Sequence, residues 1–121
     1  MKTINVLFIK CGKQPEIIEI NDDLTSYQEL VEGWIENVYP YKRDFVLVCN
    51  EEGIPLGLCP NLYLEYERST GLTPIFGDVF IASLVETEEG TEYGSVKEED
   101  VPYLMGQIHL IGKRFPNRKE N

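Results

Sequence analysis

The stretch DFVLVCNEEGIPLGLC, residues 44–59, sets the tightest limit on how this chain folds. DFVLVCN, residues 44–50, carries a continuous apolar run of strand length. Asn50-Glu51-Glu52-Gly53 suits a type I turn closed by a left-handed glycine, which makes IPLGLC the antiparallel return. In that hairpin Cys49 pairs with Ile54, Leu47 with Leu56 and Phe45 with Leu58, so one side of the sheet carries consistent apolar pairs. Cys59 then points to the other side, about 16 Å along the ladder from Cys49 at roughly 3.3 Å per residue. That separation excludes a Cys49–Cys59 disulfide, whose Cα atoms must lie within about 7 Å. It also excludes a shared zinc ion, since zinc knuckles space their cysteines by roughly two to four residues.

A chain of 121 residues has room for one domain with a modest core. Its 42% hydrophobic content separates it from disordered chains despite the charge it carries. No apolar run reaches the roughly 18 residues a membrane helix needs, and MKTINVLFIKCG lacks the small-residue cleavage site of a secretory signal. The expectation is a soluble, cytoplasmic protein without a membrane partner. Cys11, Cys49 and Cys59 are an odd set, which speaks against a secreted disulfide framework and for buried free thiols in a reducing compartment.

Along the chain, TINVLFIKC and PEIIEI flank the turn Gly12–Pro15 and predict an antiparallel hairpin over residues 3–20. Ile18 and Ile20 share one side and Ile17 and Glu19 the other, so neither face is cleanly polar. Two overlapping capping boxes, Thr25 with Gln28 and Ser26 with Glu29, start a helix over about 25–32. Gly33 suits its C-cap, and the β-branched and aromatic density beyond predicts a strand over about 34–40. A longer helix is the alternative, because Tyr27, Leu30, Val31, Trp34, Ile35 and Val38 also keep helical spacing. NLYLEYERSTG reads as an edge strand or a short irregular helix, GDVFIASLVE as a central strand over 78–85, and TEEGTEYGS as a loop. A final helix starts within 95–100, with Pro102 in its first turn and Leu104, Ile108 and Ile111 as its buried stripe. The fold class is α+β: a mainly antiparallel sheet of about five strands with two short helices packed on it, over residues 1–112, followed by a basic tail at 113–121.

This order of elements resembles a known family. The N-terminal hairpin, the helix with ELVEGWIENVYP, then FVLVCNEEGIPLGL with Pro60-Asn61, FGDVFIAS and an acidic run into VPYL are similar to an uncharacterised family of small acidic proteins, a domain of unknown function. The resemblance spans residues 3 to 105, and VLVCNEEGIPLGL is its most specific piece. It implies an origin in phages, plasmids or conjugative elements of Gram-positive bacteria, and it implies no activity. Leu62 follows Asn61 here where the family tends to carry an arginine, which speaks against an anion-binding role at that point.

Charge carries the functional reading. With 21 acidic and 11 basic residues the formal net charge is −10, and Lys113, Arg114, Arg118 and Lys119 are concentrated at the C-terminus, leaving the rest of the body still more anionic. Such a field repels nucleic-acid phosphates and steers the molecule toward basic partners. Glu86, Glu88, Glu89, Glu92, Glu98, Glu99 and Asp100 form the candidate partner-docking patch. ETEEGTE only partly mimics a calcium loop, so neither a metal nor a cofactor is expected. His109, the sole histidine, has no nucleophile beside it in sequence, and no glycine-rich phosphate loop is present.

Three functions follow. The first is a non-catalytic acidic binding protein of a mobile element that counteracts host defence by occupying the basic surface of a host protein, in the manner of a nucleic-acid mimic. The second is a module for a nucleotide or metabolite, with a pocket at Asn50, Asn61, Tyr39 and Tyr63; the tyrosines Tyr39, Tyr41, Tyr63 and Tyr66 are also the set from which an interface would be built. The third is an enzyme without a recognisable motif.

Overall fold

The computed structural model describes residues 2–67 and 71–116. Its main sheet is organised around two strands that are apolar on both parities, β4 (Phe45–Asn50) and β7 (Val79–Thr87). Strands of that kind have to be covered on both faces. They pair antiparallel, Phe45 opposite Ser83 and Val48 opposite Phe80. Around them lie β1 (Thr3–Ile9), β2 (Glu16–Asn21) and β3 (Ile35–Val38), in the order β2-β1-β7-β4-β3. The far half of β7 pairs with β8 (Gly90–Gly94).

Two layers supply the cover. On one face Ile4, Val6, Val46, Val48, Phe80 and Ala82 pack against Tyr27 and Val31 of α1 (Leu24–Val31). On the other, Leu7, Ile9, Leu47, Cys49, Val79 and Ile81 meet a second antiparallel sheet of β5 (Pro60–Leu64), β6 (Thr73–Phe76) and β9 (Ile108–Leu110), together with Leu104 of α2 (Val101–Met105). β5 is the middle strand of that sheet. Each fully buried side chain of this kind is worth about 1.5–3 kcal/mol of transfer free energy.

The α+β class, the 3–20 hairpin, α1, β3 and the central strand β7 follow the sequence pattern. The mixed character of β2 has a direct reason: Ile17 joins one core while Ile18 and Ile20 join the other. Four readings need correction. IPLGLC is not the return strand of a hairpin, because both edges of β4 are already taken by β3 and β7. Residues 51–57 instead run through successive turns, with Leu56 N–H donating to Glu52 O and Leu58 N–H to Gly53 O. Gly53 is buried in them, and a Cβ there would come within 2.7 Å of Phe76 O. α1 is capped by Asp23, whose carboxylate accepts from Ser26 N–H, not by the Thr25 or Ser26 boxes. TEEGTEYGS is not a loop, since Glu86 pairs with Thr91 and Leu84 with Tyr93 in the β7–β8 hairpin. The last helix ends at Met105, so Ile108 and His109 lie on β9.

The cysteine reading also changes. Cys49 is free and buried, but Cys11 and Cys59 form a disulfide with Cα atoms 6.4 Å apart, joining the end of β1 to the start of β5. Of the basic tail, Arg114 is docked on the body and Phe115 bridges Lys13. Arg118, Lys119 and Glu120 lie outside the described residues.

Candidate functional site

Among the described residues, Asn50 and Asn61 are the two buried polar side chains of the core. Asn50 closes the C-terminus of α1: its amide nitrogen donates to Val31 O at 2.9 Å and Glu32 O at 3.2 Å, and its oxygen accepts from Glu52 N–H at 2.7 Å. Gly33 is required by this contact and not by a left-handed cap, since its Cβ would lie 2.7 Å from Asn50 Nδ2 while Glu32 takes the positive φ of 64°. Asn61 ties the two sheets. Its amide donates to Ile9 O at 2.9 Å and Gly77 O at 2.8 Å, and its Oδ1 accepts from Arg114 Nη2 at 2.9 Å. The arginine beside Asn61 thus arrives from the C-terminal segment, and it also holds Asn61 O, Lys10 O and Lys13 O. Burial lowers the guanidinium's pKa. Both amides are spent on backbone groups; Asn50 also lines a cleft, which Asn61, Tyr39 and Tyr63 do not. Of the tyrosines, Tyr39 and Tyr63 are exposed, Tyr41 is buried and donates to Leu104 O, and Tyr66 lines the same cleft as Asn50.

The acidic set divides in two. Glu86, Glu88, Glu89 and Glu92 surround the tip of the β7–β8 hairpin, whereas Glu98, Glu99 and Asp100 form a 3-10 turn beyond the other end of β8. The strand β8 separates Glu86, Glu88 and Glu89 from the 3-10 turn, while Glu92 lies midway along it. Several are already engaged: Glu86 accepts from Thr91 Oγ1, Asp100 from Lys97 N–H, and Glu92 is 3.7 Å from Lys2 Nζ. Among the described residues no three metal-ligating side chains converge. His109 on β9 meets Glu65, just beyond the end of β5, at 2.8 Å, both half exposed.

A different place draws the eye chemically: the edge strand β3, which pairs only with β4. On one side Glu36 and Val38 wall a cleft of about 270 Å³ between β3 and β6, floored by Cys49 and Ile75 and rimmed by Glu51, Ile54, Tyr66 and Phe76. The Cys49 thiol is pushed up to about 12, by burial first and then by the Glu36 charge, so it stays protonated and acts as apolar surface. Tyr66 is raised by burial and then by Cys49 and Glu36. On the other side Ile35 and Asn37 wall an open hollow of about 490 Å³ with Asp22, Leu24, Tyr27, Thr91, Glu92 and Tyr93. Tyr93 donates to Asn37 Oδ1 and Tyr27 to Asp22. The Tyr93 pKa is pushed up to about 12 mainly by burial, and Tyr27 is raised by burial and then by the Asp22 bond. Trp34 and Tyr39, at the two ends of β3, are 66% and 55% exposed, unusual for rings of that size. Sequence reasoning did not mark Glu36, Glu51, Ile54 or Trp34 as site residues. The alternation Ile35-Glu36-Asn37-Val38 was visible, but the open edge beside it was not.

Fold and site together define an acidic α+β protein of two antiparallel sheets, with an edge strand between an apolar cleft and a polar hollow. The chain belongs to the family described as a domain of unknown function, DUF3846, whose model matches residues 1–109. No curated protein and no solved structure matches it.

Proposed function

We propose that this is a non-catalytic binding protein that docks on a basic surface of another protein. The observation that carries the reading is the β3–β6 cleft, apolar inside and lined by the carboxylates Glu36 and Glu51 with no basic side chain, on a chain of net charge −10. Opposite charge speeds encounter and selects the partner, while the apolar floor supplies the burial that holds it. In its narrower form, the protein serves a phage or other mobile element, and its carboxylates take the place of nucleic-acid phosphates on a host defence protein. The test is capture from a bacterial lysate on the immobilised protein at low and high salt, with the bound proteins identified and a Glu36→Lys/Glu51→Lys variant alongside. Basic partners released by salt, since about 1 M ions shorten the screening length to about 3 Å, and lost in the variant are expected. Capture indifferent to both changes overturns the proposal.

The same cleft supports a second reading, a small apolar ligand, because its volume approaches that of ligand sites. A ligand at 100 times its Kd adds about 2.7 kcal/mol, which a thermal-shift screen detects. A flat screen removes this reading.

A further inference from the structure

We infer that β3 is a docking strand, to which an extended segment of the partner, with apolar and basic side chains alternating, adds as a further antiparallel strand. The inference rests on the binding-protein reading and names how and with what chemistry that protein would bind.

The backbone argument comes from the β3–β4 ladder. Ile35 lies opposite Asn50 and Val38 opposite Leu47, and Glu51 N–H donates to Trp34 O. In an antiparallel pair the residues that exchange hydrogen bonds alternate. Trp34, Glu36 and Val38 therefore turn their N–H and C=O groups toward β4, whereas Ile35 and Asn37 turn theirs outward. No backbone partner for the Ile35 and Asn37 groups occurs among the described residues. An edge with free groups is a template for another strand.

The side chains extend the argument. In a strand laid along β3, residues on the Glu36–Val38 side fall into the cleft, and those on the Ile35–Asn37 side fall toward the hollow. Val38, Ile54, Ile75 and Phe76 make the first suitable for an aliphatic side chain. The second holds Asp22 and Glu92, and an ammonium group already sits between them: Lys2 Nζ is 3.4 Å from Asp22 and 3.7 Å from Glu92. Asp22 and Glu92 line the hollow together with Ile35 and Asn37, so a side chain entering it from a strand beside β3 is best a long basic one. Strand addition by a second copy is disfavoured, because it brings a net charge of −10 against another −10. The antiparallel sense follows the sheet, whose strands all pair that way.

The probe is a capped, fluorescein-labelled peptide of about eight residues alternating valine and arginine, titrated against the whole protein at low salt and read by anisotropy. Saturable binding is expected, at least about tenfold tighter than for a peptide of the same composition in two blocks or for alternating valine and glutamate. In an antiparallel addition, the peptide residues bonded to Ile35 and Asn37 share their face, so these are the arginines. Methylating the arginine amide nitrogens should weaken binding at least about tenfold, and methylating the valine amides should change it by less than about twofold. Asn37→Pro removes an outward donor without touching the β4 ladder, but also the side-chain bond to Tyr93, which Asn37→Ala removes alone; Asn37→Pro should abolish binding with the circular dichroism kept, and Asn37→Ala should keep binding within about threefold.

Peptide binding that ignores both methylation patterns and Asn37→Pro overturns strand addition and leaves the basic-partner reading standing. Failure of the peptide to bind, when a basic lysate partner has been found, likewise overturns the inference alone. Self-association of the free protein that Asn37→Pro abolishes shows a second copy on the edge, and overturns the choice of occupant.

Discussion

Replacing Asn61 by alanine tests whether that side chain is a structural latch or is available to a ligand. It is fully buried, and its amide is the hydrogen-bond donor to Ile9 O at the end of β1 and to Gly77 O in the link between β6 and β7. Truncation leaves two buried carbonyls unpaired, each at about 1–3 kcal/mol, and frees Arg114 from one of its acceptors. With partial relaxation the net loss should be about 3–4 kcal/mol. For a domain this size 1 kcal/mol is worth about 4 °C, so the melting temperature should fall by about 12–16 °C. Urea melts give the free energy, with an unchanged slope if the native state stays compact. A loss below about 1 kcal/mol would show that the two carbonyls find other donors, and would return Asn61 to the candidates for ligand contact.

The Cys11–Cys59 bond closes a loop of 48 residues, which in the chain-entropy model stabilises by about 4 kcal/mol. A thiol reductant should therefore lower the melting temperature of the wild type and leave a Cys11→Ser variant unmoved; equal responses would argue against the bond. In the oxidised native protein Cys49 is the free cysteine, buried and raised to about 12, so maleimide should label nothing near neutral pH until denaturant exposes one thiol. Burial is the leading cause of the raised pKa values of Tyr27, Tyr41 and Tyr93, so the folded state holds these phenolic protons more tightly than the unfolded chain does. Their contribution is complete below the ordinary tyrosine value of about 10 and is lost as pH climbs beyond it. Stability measured from pH 9 to 12 should decline, and a flat profile would count against the buried placement of these rings.

Much of the architecture was legible because it rests on local pattern. The hairpin of residues 3–20 shows strand-type runs around a turn, α1 shows its 3.6-residue stripe, and Val79–Leu84 is too apolar to be anything but central. Where sequence reading failed, partners distant in the chain had won. Phe45–Asn50 seemed to pair with the segment just after it, but Ile35–Val38 and Phe80–Ser83 occupy its two edges, and Pro55 and Gly57 suit the turns that lead away. Ile108 kept helical spacing with Leu104, yet β5 had an open edge, and Tyr63 opposite His109 closes it. Glu88 and Glu89 looked like a solvated loop because their acidity hid the hairpin turn beneath them.

The sequence by itself determined the α+β class, the anionic character and the position of the longest buried strand, since period, composition and charge are properties of neighbouring residues. Only the tertiary structure decided that Cys11 meets Cys59, that Asn50 and Asn61 are spent on backbone groups, and that β3 is left as an edge between two hollows. Those facts depend on which strands lie side by side, and strand order is set by the joint burial of two faces by segments far apart in the chain, which no local window contains.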